Sequence, residues 1–431
     1  MFAPKPVILV GLITAICLLG DSALYALLPS RFEVFAVTPT GVGIILGINR
    51  FIRILSNGWA SRAYERYGFY RPFAFSIFLA VITTLGYGIG KGLWPLVIAH
   101  GTWGIAWSLI RMGGYLAVID SSKGNTGQLM GYLQSFSRGG SLLAVIIGGI
   151  LSDFNGASNV FLIFGVITIS GFGLLPFVSL NGHLGSEKNT ARKLEDRKLQ
   201  SQNLKTGSVQ TPYIWISTVT SYLVREVREI IGVGEVSERG LIRTLYFLAF
   251  VGWLIVAGLV VATTGWLVRE IVGEEAIMFG FVLGVGTLTG LIIAIRWLGD
   301  LSLGPVIGYL SDRAGRPVVI ITSLCIIGAS LTAVAIIPTL WIVIPSFTLI
   351  FFSGTGLLVT LNASIAENAP PQTRLAILGR YATFSDIGSG TGPIIGLAMV
   401  EHLGVSWAYG LAAFIIFLTV GVFMKRIQEN N

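Results

Sequence analysis

Apolar runs of roughly 20 residues, separated by short bursts of charge and turn residues, recur along the whole chain except for one long polar stretch near its middle. A helix crosses a bilayer in about 20 apolar residues. The pattern therefore predicts helices at 6–28, 41–61, 72–90, 93–118, 127–151 and 158–180, then at 242–265, 276–309, 317–337, 341–364, 374–400 and 404–424. The expected fold class is an all-α membrane protein, with twelve transmembrane helices forming two pseudo-symmetric six-helix bundles, 1–181 and 242–431. Residues 182–241 read as a cytoplasmic linker of mixed charge. Within it Tyr213 to Ile231 has the composition of an amphipathic helix lying on the inner leaflet, and equally of a solvated connector.

Six helices plus six place both termini on one side. That side holds Lys5, Arg62, Arg66, Arg71, Lys123, Arg313, Arg316, Arg374, Lys425 and Arg426, against Arg31, Lys91 and Arg269 opposite. The asymmetry predicts cytoplasmic termini in a multi-pass protein of the cell (inner) membrane. The halves also repeat in sequence. Gly131, Phe136, Ser137, Gly140 and Gly148 return as Gly379, Phe384, Ser385, Gly388 and Gly396, 248 residues later.

One polar stretch, Gly308 to Pro317, reads as a tight loop between two helices. Gly308 and Gly315 permit a reversal, Pro317 suits a first helical turn, and Asp312, Arg313 and Arg316 form an ionic cluster. A weaker copy, with Glu65, Arg66 and Gly68 behind Ser61, precedes it by 247 residues. The run Gly308, Leu310, Ser311, Asp312, Arg313, Gly315 and Arg316 resembles the signature loop of the major facilitator superfamily of secondary transporters. The resemblance implies two halves related by an axis along the membrane normal, with a substrate site between them near the midplane. Gly388, Gly392, Pro393 and Gly396 in helix eleven resemble the antiporter motif that drug exporters carry in helix five. Helix five here has Gly140, Ala144, Val145 and Gly148 instead, without the Gly-Pro pair.

Composition agrees with a membrane class: 53% of the 431 residues are hydrophobic, 12% are charged, and mean hydropathy is +0.79. The formal net charge of +8 follows the positive-inside loops, so no nucleic-acid partner is expected. Cys17 and Cys325 stand alone in apolar runs and read as small buried hydrophobes. The first apolar run lacks a clear small-residue cleavage site and reads as a retained helix. A phosphate-cradling Gly-x-x-x-x-Gly-Lys-Ser/Thr, a His-Glu-x-x-His metal pair and a Gly-x-Ser-x-Gly elbow are all missing from the sequence. The expectation is therefore a protein that is not an enzyme and carries no cofactor or metal.

Ionisable side chains at membrane depth are costly, which makes each one a functional candidate. They are Asp21, Arg50, Arg53, Arg111, Arg138, Arg296, Asp300, Arg380 and Asp386. Arg50, Arg111, Asp21 and Arg296 are the expected solute contacts, with Asp21 also the proton-coupling carboxylate. His100 reads as a satisfied core histidine. The repeat relates Arg53 to Asp300 at 247 residues and Arg138 to Asp386 at 248, reversing sign each time. The resemblance sets helix two against eleven and five against eight, implying an interdomain gate of Arg53 with Asp386 and Arg138 with Asp300. The expected function is secondary active transport, probing one side and then the other, of a small organic solute, anionic or zwitterionic, coupled to protons. Drug/proton antiport of amphipathic compounds and a non-transporting sensor or assembly factor of the same fold are the alternatives. The expected partners are the solute, the coupling proton and the lipid bilayer, with the chain a monomer.

Overall fold

The computed structural model describes residues 3–122, 125–180, 240–278, 280–370 and 374–430. The linker expectation and its amphipathic stretch lie outside the described residues, apart from Gly240 and Leu241, which open a helix. The first half comprises α1 (Lys5–Ser30), α2 (Pro39–Tyr67), α3 (Tyr70–Ile89), α4 (Leu93–Ser121), α5 (Thr126–Asn155) and α6 (Ala157–Leu174), with a 3₁₀ turn at Phe32–Phe35 after α1. The second half begins with α7 (Gly240–Val272), whose middle, Trp253–Val260, is wound as a π-helix. An antiparallel hairpin of β1 (Glu275–Met278) and β2 (Phe281–Gly284) follows. Next come α8 in two segments, Val285–Ser302 and Gly304–Ala314, then α9 (Arg316–Ile336), α10 (Leu340–Asn368), α11 (Arg374–Leu403) and α12 (Val405–Asn430).

Ten of the described helical runs are long and apolar enough to cross a membrane unaided. The two other long helices are α2 and α11, and these pack against each other across the halves. Their low hydropathy has a structural cause. Asn49, Arg50 and Arg53 on α2, and Asp386 on α11, turn inward rather than toward lipid, and Arg53 is 7% exposed. All twelve spans of the expected architecture are therefore present.

Two expectations need correction. Residues 276–309 are not one helix. The strand-favouring Ile277, Phe281 and Val282 form the hairpin, with Gly280 at φ +82° in its turn. Pro305, which has no N–H to donate, then divides α8 at Leu303. The signature stretch is also helical as far as Ala314. Only Gly315, at φ +89°, makes the turn, as Gly68 does at φ +72° in the weaker copy. In addition, Cys17 is buried but Cys325 is exposed.

The halves meet most closely near the face opposite the termini. A Cβ added to Gly43 on α2 would overlap the Pro393 carbonyl of α11, and one at Gly290 on α8 would overlap the Val145 carbonyl of α5. The two contacts are related by the sequence offsets of the repeat, 247 for the glycines and 248 for the carbonyls. Close backbone approach of this kind lets helices gain dispersion contacts where lipid removes any hydrophobic drive between them.

Candidate functional site

Between the halves lies a cavity of about 400 Å³, lined by residues of α1, α2, α4, α5, α7, α8 and α10. It extends toward the terminal face through Arg111, Tyr115, Gln134 and Asn362, while the opposite face is shut by the contacts above. Its wall mixes rings with charge. Tyr25, Trp103, Trp107, Trp253 and Trp297 stand beside Arg50, Arg53, Arg111, Arg138 and Arg296, with Asp21 and Asp300 as the lining carboxylates.

Two cross-half pairs are formed. Arg53 Nη2 lies 3.3 Å from Asp386 Oδ1, and Arg138 Nη1 lies 3.6 Å from Asp300 Oδ2. Arg50 also approaches Asp386, at 3.8 Å, so its charge is partly committed to that carboxylate. Thr355 of α10 donates to Asp300 at 2.7 Å and fixes its orientation. Arg138 and Arg296 both stand over the Trp297 ring, with guanidinium carbons 5.1 and 4.8 Å from its centroid.

Arg111 of α4 and Arg296 of α8 are different. Both line the cavity, one from each half, and among the described residues neither has a carboxylate within ion-pair reach. The Trp297 indole N–H is buried with no acceptor among the described residues. The wall therefore offers two cations outside the ion pairs and a donor, a set suited to an oxygen-bearing anionic group.

Asp21 lines the same cavity from α1. Its Oδ1 is buried without a hydrogen-bond donor, and His100 Nδ1 stands 3.8 Å away. The His100 ring is already held, by Asn49 at 2.9 Å and by the Tyr87 hydroxyl at 3.0 Å. Unlike Asp300 and Asp386, Asp21 has no Arg or Lys within ion-pair distance among the described residues.

The signature residues lie apart from the cavity. Asp312 is exposed and accepts from Arg316 at 3.3 Å, while Arg316 Nε donates to Glu367 at the end of α10 at 2.6 Å. Arg313 stands over the Tyr309 ring and Arg66 over Tyr67. Glu367 escaped the sequence reading because a carboxylate at a helix end looks like any solvated charge.

The description Major Facilitator Superfamily belongs to a family model that matches residues 10–301 and 286–430. The chain belongs to that superfamily. Multidrug resistance protein MdtG of Citrobacter koseri is 23% identical over 341 residues, 79% of this chain and 72% of its own, and MdtG of Salmonella typhimurium is 24% identical over the same shares. A POT family transporter solved with 5-aminolevulinic acid superposes with a TM-score of 0.72 at 12% identity, covering 98% of this chain and 96% of that one. The nucleoside transporter NupG gives 0.71 at 12% identity, covering 98% and 99%. These two likenesses establish the shared transporter fold, and the chain is a multi-pass membrane protein.

Proposed function

We propose that this major facilitator is a secondary active transporter that moves a small anionic or zwitterionic organic solute by alternating access, with Asp21 as the proton-coupling group. The observation that carries the reading is the pair of arginines outside the ion pairs, Arg111 and Arg296, contributed to one cavity by opposite halves. Coupling rests on Asp21, a buried carboxyl not tied into an ion pair and therefore able to bind and release a proton during the cycle. The excess of Lys and Arg in loops on the terminal side supports cytoplasmic termini in the cell (inner) membrane. On that orientation the cavity described here faces inward.

A second reading, proton-coupled export of amphipathic drugs, is favoured by the MdtG relatives and by the aromatic wall. Flux into proteoliposomes, measured for a panel of organic anions, zwitterions and lipophilic cations under an imposed proton gradient, separates the two. Gradient-driven flux of anions or zwitterions supports the first reading. Flux confined to lipophilic cations supports the second, and no flux of any compound overturns both.

A further inference from the structure

At the face opposite the termini, two carboxylates that the sequence reading passed over each close on the start of a helix in the other half. Asp153, near the end of α5, accepts from the backbone N–H groups of Gly286 and Thr287 at 3.0 and 2.8 Å and from the Thr287 hydroxyl at 2.6 Å. Glu401, near the end of α11, accepts from the Thr40 N–H at 2.8 Å and from its hydroxyl at 2.5 Å. The threonines stand 247 residues apart and the carboxylates 248, the offsets that relate the two halves elsewhere. One arrangement is thus built twice, related by the pseudo-two-fold axis.

A helix start leaves backbone N–H groups without partners inside the helix and carries partial positive charge. A carboxylate from the opposite half satisfies both, and it does so only while the halves are together. Arg31, which pairs with Asp153 at 3.2 Å and also with Glu274, braces one of the two sites.

We propose that Asp153 and Glu401 are twin latches that hold this face shut and must release together when the halves rock apart. The released N–H groups and carboxylates are then taken up by water, so the latches bias the equilibrium without locking it. On the opposite face Asp312 is exposed and bonded to Arg316 of its own half. The inference rests on alternating access but not on the identity of the solute. Failure of every flux assay would therefore leave its test unaffected.

The test uses the full chain with Cys17→Ala and Cys325→Ala, reconstituted in lipid, and two reporter cysteines placed separately. Leu397→Cys reports on the shut face, where Leu397 is fully buried in a cluster containing Leu46 and Val42 of the first half. Gln134→Cys reports on the terminal side of the cavity. Asp153→Asn and Glu401→Gln should each raise impermeant-thiol labelling at Leu397→Cys about fivefold and lower it at Gln134→Cys. Combined, their effects on the equilibrium should multiply, because one movement breaks both sites. Asp153→Glu and Glu401→Asp should behave more like the parent, and Glu270→Gln, which removes a nearby exposed carboxylate, should change neither reporter. A simple capping role, or loss of folding, would raise both reporters together. That result, or no change at either, overturns the proposal.

Discussion

Arg53 on α2 and Asp386 on α11 meet across the two halves, Nη2 to Oδ1, at 3.3 Å. Arg138 on α5 and Asp300 on α8 meet at 3.6 Å in the related place. The repeat reverses the sign of each position, so the first half supplies both cations and the second half both anions. We propose that the pairs act as a gate. Charges at this depth are expensive when parted, so a state that separates them is penalised until solute or water takes a partner's place.

The expected result for the gate concerns a charge swap. Arg53→Asp and Asp386→Arg should each lower transport by more than tenfold, since breaking a buried pair costs about 3–5 kcal/mol. The double variant should regain a measurable part, and Arg138→Asp with Asp300→Arg should do the same. Transport and surface expression measured in each cycle check this, and well-inserted doubles with no recovery in either pair would refute the gate.

Much of this frame was legible in the chain because membrane physics writes it strongly. Apolar runs mark the spans, and the repeat offsets, combined with the helix contacts that the family resemblance implies, set Arg53 against Asp386. The helical course of the signature stretch was less legible, because Gly308 looks like a turn residue yet lies inside a helix, and only Gly315 adopts the left-handed backbone. The hairpin at Glu275–Gly284 was hidden by its apolar composition, which serves a strand as well as a helix. Asp153 and Glu401 carried the repeat offset in plain view. Their partners are backbone N–H groups, however, and a sequence does not display those.

Asp21 leads to a separable prediction. Asp21→Asn removes the titratable group while keeping size and polarity, so accumulation driven by a proton gradient should fall to background, whereas solute exchange at equal pH should persist. The two assays on one preparation check this. Equal loss of both would assign Asp21 to folding or to solute contact.

Asp312 is exposed here, in the state whose cavity extends to the terminal face. We propose that it caps a neighbouring helix start when that face closes, where backbone N–H groups carry partial positive charge. Asp312→Asn should then raise labelling at Gln134→Cys from the terminal side by about threefold, the equivalent of a lost exposed charge–dipole contact. Unchanged labelling would leave Asp312 as no more than a partner for Arg316.

Arg50, partly committed to Asp386, should be less sensitive than Arg111 or Arg296 as a solute contact. Arg50→Lys keeps the charge and loses the planar fork, so it should raise KM for an anion by only a few-fold, roughly the loss of one bidentate bond. Saturable uptake by the purified variants checks this, and a loss larger than that of Arg296→Gln would make Arg50 the principal contact.

The central claim is that Arg111 and Arg296 hold the negative group of the solute. The most direct measurement is kcat/KM for the best anion and the best lipophilic cation found in proteoliposomes, compared between the parent chain and Arg296→Gln. Loss of a charge-assisted contact of about 1.5–3 kcal/mol predicts a drop of roughly 10- to 100-fold for the anion with the cation unchanged or improved. An equal drop for both, or a drop for the cation alone, would contradict the account.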